Sequence, residues 1–301
     1  MVDFIVPALN EAGNIAPCYE AIDAICKEHG IEYQIIFIDD GSKDGTWQAI
    51  EQLPVKGIQF SRNFGKEAAI ACGLAHSKGD AAIVIDCDLQ HPVEMIPKMV
   101  ELWQKEGYAV VNFVKQEEER KGFFHKLSAN LFNKMMGTAM HGNMIGASDF
   151  KLLDKRVVQL LVAMPERQKF FRGLVSFSGF SQCNVYYNVK QRQVGHSKWN
   201  FVSLFRYALV NIASFSSVPL QLITILGLLF LALAIPLIIT TFFDFFTGRA
   251  LRGFTTVILL QLITGSAIMI GVGVIGFYIS MMYNEIKQRP MYICQNKKDI
   301  E

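Results

Sequence analysis

Residues 81–90 read AAIVIDCDLQ, an apolar run that ends in two acidic residues one position apart. A short apolar run followed directly by polar residues is typical of a buried β-strand that stops at the edge of a sheet. Asp86 and Asp88 point to the same side of an extended chain, since side chains alternate along a strand. Carboxylate oxygens suit Mg²⁺ or Mn²⁺ and leave coordination positions open for phosphate oxygens. The stretch predicts a strand that leads into a divalent-metal site, and a plain loop or helix cap is the alternative.

Three apolar runs precede this one, at residues 4–7, 33–38 and 58–61, and helical patterns over 15–29, 46–53 and 67–77 separate the four. Strands that alternate with helices predict an α/β domain whose sheet is mostly parallel, because each crossover helix returns the chain in the same direction.

Polar residues follow each of the four runs. They are Asn10-Glu11, Asp39-Asp40, Arg62-Asn63 and Asp86-Cys87-Asp88. In open α/β sheets the ligand binds beyond the carboxyl ends of the strands, so we expect these clusters to converge in one crevice. Asp39 and Asp40 could accept hydrogen bonds from a nucleotide base or ribose, or could form a plain turn and cap. Arg62 and Lys66 near a helix start could hold phosphate, or could be solvated surface charges.

The chain becomes almost continuously apolar beyond residue 217. Residues 220–243 and 257–282 contain no charged side chain. As helices, runs of this length measure roughly 36 Å, which is enough to cross the hydrocarbon core of a bilayer with some tilt. We therefore predict transmembrane helices over 217–243 and 257–283. A pair of buried core helices is the alternative.

Basic residues predict the orientation of these spans. The only basic residues of the loop between them, 244–256, are Arg249 and Arg252, whereas several Lys and Arg lie on both outer flanks. Because Lys and Arg favour the cytoplasmic side, the hairpin is expected outside. Residues 1–198, the tail 284–301 and both termini are expected in the cytoplasm, at the cell membrane. Residues 199–216 carry apolar side chains at helical spacing, which indicates a helix in the membrane interface or an amphipathic helix packed on the domain.

Charge and cysteine content bear on the partners and the cellular compartment of the protein. The formal net charge is +2 in 301 residues, which gives no indication of a nucleic-acid partner. The six cysteines show neither a CxxC pair nor zinc spacing, so we interpret them as reduced thiols in a cytosolic domain.

Taken together, the motifs resemble the inverting glycosyltransferases of family 2 with a GT-A fold. The nearer resemblance is to the branch of dolichyl-phosphate mannose synthases and bactoprenol glucosyltransferases. It is carried by residues 6–11 (VPALNE), 39–42 (DDGS), 86–92 (DCDLQHP), 148–154 (SDFKLLD), 170–174 (FFRGL) and 192–199 (RQVGHSKW), and by the two apolar runs and residues 287–290 (KQRP). Nearly the whole chain is covered.

The resemblance implies roles for individual residues. Those expected to bind the nucleotide-sugar are Pro7, Asn10, Glu11, Asp39, Asp40, Arg62, Lys66 and Asp86. Those expected to bind Mg²⁺ or Mn²⁺ and the diphosphate are Asp86, Asp88 and Gln90. Asp88, Asp149 and Arg172 are the expected catalytic residues, with Asp149 near the transferred sugar. Asp149 could instead be a cap ahead of a helix over 151–164.

The acceptor phosphate is expected to meet basic residues in two segments. They are Arg120, Lys126, Lys134, Arg192, Ser197 and Lys198. For residues 120–134, a surface amphipathic helix is the alternative.

The reaction implied is a single displacement in which a polyisoprenyl phosphate oxygen attacks the anomeric carbon and a nucleoside diphosphate leaves. The second pKa of a phosphate monoester is about 6, so this nucleophile is mostly deprotonated at neutral pH and Asp149 need not act as a base. UDP-glucose and undecaprenyl phosphate are the first choice of substrates, for cell-envelope glycosylation. UDP-N-acetylglucosamine, UDP-galactose and GDP-mannose are alternatives. A separate flippase is expected, because two spans offer no path for a sugar-lipid across the membrane, and a homotetramer is expected by resemblance.

Three other functions compete with this reading. A processive polysaccharide synthase usually has more spans and a Gln-x-x-Arg-Trp segment, whereas residues 168–172 read QKFFR. A transferase with a soluble acceptor would not need the spans. A non-catalytic lipid-binding scaffold would be expected to have lost Asp86 and Asp88.

Overall fold

The computed structural model describes residues 1–115, 147–166, 169–187 and 254–300. Between these last two ranges it describes residues 223, 225–230, 232, 233, 235, 236, 239, 243, 246 and 247. The chain forms two compact units. Unit 1 comprises Met1–Asn200 together with Arg289–Glu301, and unit 2 comprises Phe201–Gln288.

Unit 1 is built around an eight-stranded sheet. Its strands are β1 (Val2–Ala8), β2 (Tyr33–Asp39), β3 (Lys56–Phe60), β4 (Ala81–Val84), β5 (Val110–Lys115), β6 (Ala147–Asp154), β7 (Gln182–Tyr187) and β8 (Cys294–Lys298). Its helices are α1 (Ala12–Glu28), α2 (Thr46–Glu51), α3 (Lys66–Ala75), α4 (Ile96–Gln104), α5 (Lys155–Ala163) and α6 (Phe171–Phe177), with a 3₁₀ turn at Val93–Met95.

The strand order is β7-β5-β6-β4-β1-β2-β3-β8. The pairs β1/β2, β1/β4, β2/β3 and β5/β7 are parallel, whereas β6 and β8 run antiparallel to their neighbours. The prediction of an α/β fold with a mostly parallel sheet is confirmed. The four predicted strands and three predicted helices all form, with ends within about three residues of the expected ones.

One expectation about local structure is wrong. Residues 151–154 were expected to begin a helix, but they complete strand β6, which pairs with both β4 and β5. Alternation explains the strand: Phe150 and Leu152 are fully buried in the core cluster, while Asp149 and Lys151 face the other side. The helix starts at Lys155, and the Asp154 side chain accepts the Arg156 N–H as its N-cap.

The sheet is packed on both faces, which fixes where the strand ends lie. One face carries α1, α2 and α4, and their apolar side chains join those of β1, β2 and β4 in one cluster. The other face carries α3, which approaches β1 so closely that a methyl group at Gly73 would collide with Ile5 and would lie 2.9 Å from Ile38 Cδ1. This close packing places the first residue of α3, Lys66, beside the ends of the central strands.

Unit 2 contains helix α7, Phe254–Ile286. Among the described residues, one helix is long and apolar enough to cross a membrane by length and composition, Ile263–Ile286, with a mean hydropathy of 1.8. The prediction of two spans is not confirmed, because the structure describes residues 217–243 only in part. Those that it does describe there are helical, and a methyl group at Gly271 would lie 3.3 Å from Ile223 Cγ2.

Several predictions concern residues outside the described ranges. They include the interface helix over 199–216 and every residue expected to bind the acceptor phosphate, namely Arg120, Lys126, Lys134, Arg192, Ser197 and Lys198. The tail brings a feature that was not expected: after helix α7 the chain returns to unit 1 and adds β8 to the edge of the sheet.

Candidate active site

A cleft of about 300 Å³ opens where the central strands end. It is lined by residues that follow β1, β2, β3 and β4: Pro7, Ala8, Leu9, Glu11, Asp40, Asn63, Gly65, Lys66, Ala69, Asp86, Cys87 and Asp88. Of the eight residues expected to bind a nucleotide-sugar, the structure brings Pro7, Glu11, Asp40, Lys66 and Asp86 into this cleft. The parallel strands explain this, because their carboxyl ends meet at one edge of the sheet.

Asp40 holds the loop that follows β3. Its carboxylate accepts the backbone N–H of Phe64 at 2.7 Å and of Gly65 at 2.9 Å. Burial raises the pKa of Asp40, and these two N–H groups oppose the increase. Asp40 therefore determines how the chain enters helix α3.

Asp39 and Asn10 organise the loops beneath the cleft. The fully buried Asp39 accepts the Ser42 N–H at 2.9 Å and the Gln59 side-chain amide at 3.0 Å. Asn10, at φ 54°, donates its backbone N–H to Ser42 Oγ and accepts the Lys43 N–H, each at 2.9 Å. Neither side chain lines the cleft; both hold the loops that follow β1 and β2 in shape.

The loops after β2 and β3 touch backbone to backbone. Gly41 has φ +69°, and a methyl group there would collide with the backbone of Arg62. The left-handed conformation and the close approach both require glycine. Arg62 itself is exposed and lies over the Phe64 ring, 4.1 Å from its centroid, so it lies outside the lining of the cleft.

A line of alternating charges begins at Asp86 and Lys66, which both line the cleft. Lys66 Nζ lies 2.5 Å from Asp86 Oδ1 and 2.7 Å from Asp149 Oδ2. Arg172 contacts both oxygens of Asp149, through Nε at 2.6 Å and a terminal nitrogen at 3.2 Å. Two-point contact with a carboxylate makes a strong and directional ion pair. Two of the expected catalytic residues, Asp149 and Arg172, are thus joined to Asp86 through Lys66.

These contacts decide the protonation state of the two carboxylates. Burial alone would raise the pKa of Asp86, but Lys66 and the His91 hydrogen bond outweigh it and lower the pKa to about 2. Burial is likewise outweighed at Asp149, where Lys66 and Arg172 hold the pKa well below its ordinary range. Both groups are therefore carboxylates throughout the neutral pH range.

Three residues that the sequence did not single out surround this charged line. His91 stacks on Phe150 at 5.0 Å, with its Nε2 3.4 Å from Asp86 Oδ2. Glu67 accepts the backbone N–H of Phe171 at 2.9 Å and so fixes the start of α6, which carries Arg172. Burial and the neighbouring Asp149 raise the pKa of Glu67 to about 7.

The third is Lys151, which is buried and donates to Asn112 Oδ1 at 2.6 Å. Burial, together with Arg172, lowers its pKa to about 8. Sequence signals for all three existed: His91 follows the acidic pair within one motif, Glu67 follows Lys66, and Lys151 lies two positions after Asp149 on the same strand face.

The residues expected to bind a metal fit a divalent cation in part. Asp88 lines the cleft and its Oδ1 accepts the Gln90 backbone N–H at 3.2 Å. Asp86 is paired with Lys66, so a cation there would have to compete with an ammonium group. Gln90 Nε2 is buried without a hydrogen-bond partner. No group of three His, Cys, Asp or Glu side chains suitable for a metal occurs in the described part of the chain. Two carboxylates with oxygen donors from a ligand suit Mg²⁺ or Mn²⁺.

Residues 3–161 match the model of glycosyl transferase family 2. The chain belongs to this family and is a glycosyltransferase, and its sheet is the GT-A type of α/β fold. It is 36% identical over 310 residues to the bactoprenol glucosyl transferase of Shigella phage SfV, which covers 99% of each chain. It is also 36% identical to the prophage bactoprenol glucosyl transferase homolog of Escherichia coli K12, again with 99% of each chain covered.

Among solved structures, the chain is similar to glucosyl-3-phosphoglycerate synthase from Mycobacterium tuberculosis, crystallised with Mn²⁺, UDP and glucosyl-3-phosphoglycerate. The TM-score is 0.50 at 20% identity, over 71% of this chain and 77% of that one. At this identity the likeness supports the fold alone.

Proposed function

We propose that this glycosyltransferase moves a hexose from a nucleotide-sugar to a polyisoprenyl phosphate with inversion at the anomeric carbon. Glucose from UDP-glucose and undecaprenyl phosphate are the substrates that we favour. The observation that carries the proposal is the charged line Asp86–Lys66–Asp149–Arg172, whose first two residues line a cleft at the carboxyl ends of parallel strands. The names of the relatives that match over the full length support the lipid acceptor and the glucosyl group.

The nucleotide is proposed to lie over the loops that follow β1 and β2. Pro7 and Glu11 line that part of the cleft together with Asp40. Asp39 and Asn10 contribute by holding these loops in shape, through Ser42 and Lys43. Arg62 would come to a phosphate only by leaving the Phe64 ring, so we assign the diphosphate to Lys66 first.

Asp149 is proposed to orient the sugar and not to act as a base. A general base works best when its pKa lies near the operating pH, whereas Lys66 and Arg172 hold the pKa of Asp149 well below its ordinary range. A phosphate acceptor with a second pKa of about 6 needs no base at neutral pH. Asp149 is instead held by two cations in one geometry, which suits hydrogen bonding to sugar hydroxyl groups.

The leaving diphosphate needs positive charge near its oxygens. Lys66 lines the cleft, and Arg172 is joined to Lys66 through Asp149, so the charged line supplies two cations. We propose Mg²⁺ or Mn²⁺ as the cofactor, with Asp88 as its first protein ligand and Asp86 and Gln90 nearby; when bound it would neutralise charge on the diphosphate.

The membrane arrangement is proposed from chain connectivity. The chain leaves unit 1 after Asn200 and re-enters it at Arg289, where β8 pairs with β3. Because both ends of unit 2 are joined to unit 1, we infer that the chain between them crosses the membrane an even number of times. Taking α7 as one crossing, we propose a second. We propose spans over 217–243 and 257–283, with unit 1 in the cytoplasm, where Lys and Arg favour it.

Several parts of the proposal rest on resemblance alone. The basic residues Arg120, Lys126, Lys134, Arg192 and Lys198, with Ser197, are proposed to meet the lipid phosphate. A homotetramer is proposed in the same way, whereas a separate flippase for the product is proposed because two spans offer no path for a sugar-lipid. UDP-N-acetylglucosamine, UDP-galactose and GDP-mannose remain alternative donors.

A transfer assay tests the reaction. Purified protein in detergent is incubated with Mg²⁺, undecaprenyl phosphate and a panel of radiolabelled UDP- and GDP-sugars, and label is counted in the organic phase. We expect label from UDP-glucose, abolished by EDTA and by Asp88→Ala. Label from a different donor and none from UDP-glucose would show that the transferred sugar is not glucose. No label from any donor, with a related enzyme active in parallel, would exclude the lipid-phosphate acceptor.

A further inference from the structure

Strand β8 contacts the part of unit 1 that leads to the cleft. It pairs antiparallel with β3, and the Ser61 N–H donates to Ile293 O at 2.9 Å just beyond β3. Tyr292 stacks on Phe60 with ring centroids 5.0 Å apart and planes 10° apart. The chain that follows the apolar helix therefore holds the beginning of the loop that Asp40 holds at its other end.

A continuous series of hydrogen bonds leads from β8 to the floor of the cleft. Asn296 Nδ2 donates to Gln59 Oε1 at 2.6 Å, and Gln59 Nε2 donates to Asp39 Oδ2 at 3.0 Å. The other oxygen of Asp39 accepts the Ser42 N–H, and Ser42 Oγ accepts the N–H of Asn10. Five residues from four separate segments are thus connected.

The direction of this series depends on one amide group. The side chain of Gln59 has a donor end and an acceptor end, and it presents the donor to Asp39 only while its oxygen faces Asn296. Asn296 supplies an NH₂ group to that oxygen and so selects this orientation. A group that could only accept would favour the reversed amide, and Gln59 would then turn its oxygen toward the carboxylate of Asp39.

We propose that Asn296 is a positioning residue of the donor-nucleotide site, acting through Gln59 on Asp39 and the loops around Ser42 and Asn10. The segment after the apolar helix is thus part of the machinery that binds the nucleotide. This inference rests on the proposed function in one respect, that the cleft binds a nucleoside diphosphate.

The test compares variants of the full chain in detergent that differ only at β8. Asn296→Asp keeps the shape but offers acceptors alone, Asn296→Ala removes the group, and Gln295→Asp places the same charge on the neighbouring exposed residue as a control. The readouts are the Kd of UDP and of GDP with Mn²⁺, measured by calorimetry, and the KM values of donor and lipid phosphate.

We expect Asn296→Asp to weaken binding of the nucleotide about tenfold, since a hydrogen bond to a charged group is lost. Asn296→Ala should weaken it only about two- to threefold, because Gln59 can keep its orientation. Gln295→Asp should change nothing, and the KM for lipid phosphate should stay constant in all variants. A merely structural role of β8 would not make the isosteric variant worse than the truncated one.

A second pair of variants isolates the route through Gln59. In a Gln59→Leu background, Asn296→Asp should have no further effect on the Kd, because coupled residues are not additive. Equal effects of Asn296→Asp and Gln295→Asp, or full additivity with Gln59→Leu, would overturn the inference. Binding of a nucleotide without sugar transfer would disprove the proposed reaction while the Kd values still decide the role of Asn296. Failure to bind either nucleotide would overturn both.

Discussion

Lys66 Nζ lies 2.7 Å from Asp149 Oδ2, although 83 residues separate the two in the sequence. Lys66 begins helix α3 and Asp149 lies within strand β6, so the ion pair joins the two halves of unit 1 at the edge of the cleft. The same ammonium group also holds Asp86. One cation therefore positions the acidic residue of the metal motif relative to the carboxylate assigned to the sugar.

Replacing Asp149 by Asn should lower kcat on the order of 100-fold. The amide cannot form the ion pairs with Lys66 and Arg172 that hold the Asp149 side chain in one geometry. The pH profile should keep its shape. Asp149 is ionised throughout the neutral range, so the acid limb belongs to the acceptor phosphate, near pH 6. Measuring kcat/KM from pH 5 to 9 checks this, with Glu106→Gln at an exposed position as control. Disappearance of the acid limb in Asp149→Asn would identify Asp149 as the base.

Replacing Lys66 by Met should abolish turnover and at the same time strengthen Mn²⁺ binding in the absence of nucleotide. Asp86 would lose its ammonium partner and its pKa would rise from about 2 toward the ordinary value, yet the carboxylate would become available to a cation. Electron paramagnetic resonance of free Mn²⁺ measures the affinity. Lys78→Met, at an exposed position, is the control. Unchanged or weaker Mn²⁺ affinity would show that Asp86 does not compete for the metal.

Replacing Glu67 by Gln should remove part of the pH dependence of stability. The pKa of Glu67 is raised to about 7 in the folded chain, above its ordinary value of 4.5. The raised pKa contributes to the free energy of unfolding. This contribution is complete below pH 4.5 and is lost as the pH rises through about 7. Thermal unfolding in detergent at pH 5, 6 and 8 should show Glu67→Gln gaining relative to the native chain as pH rises. A constant difference would contradict the shift.

Gly73→Ala should destabilise unit 1 by about 1–3 kcal/mol, because a methyl group there collides with Ile5 in a packed core. Gly13→Ala is the matched control: it also lies in a helix, and a methyl group there meets nothing within 4 Å. We expect it to stabilise slightly, since alanine loses less entropy in a helix. Chemical unfolding followed by tryptophan fluorescence measures both. Equal effects would mean that α3 is not tightly packed on β1.

A protease-cleavable tag at the C-terminus should be cut on the same side of the membrane as one at the N-terminus. Both termini belong to unit 1, since β8 pairs with β3. A tag inserted in the 244–256 loop should be cut only from the opposite side. Sealed vesicles of known orientation provide the measurement. If the N-terminal tag were cut from one side of the membrane and the C-terminal tag from the other, an even number of crossings would be excluded.

The part of unit 1 in which strands β1 to β4 alternate with helices α1 to α3 was predictable, because local sequence patterns determine these elements. Apolar runs with turn residues between them predicted the first four strands and three helices. The polar residues after each run identified part of the lining of the cleft, whereas Asn10, Asp39 and Arg62 lie outside it. The antiparallel strands were not predictable in this way. Strand β6 ends in the helix-compatible residues KLLD, which run directly into helix α5, and only pairing with β4 and β5 makes residues 151–154 extended.

The sequence alone determined four features of this protein. They are the α/β class, the polar motif that follows each of the four central strands, the two apolar runs and the acidic pair at 86 and 88. All of these depend on residues close together in the chain. The ion pairs of Lys66, the cap of Glu67 on Phe171 and the series from Asn296 to Asp39 join residues 20 to 237 positions apart. Only the tertiary structure decides such contacts, because distance in space between segments depends on how the whole sheet is assembled.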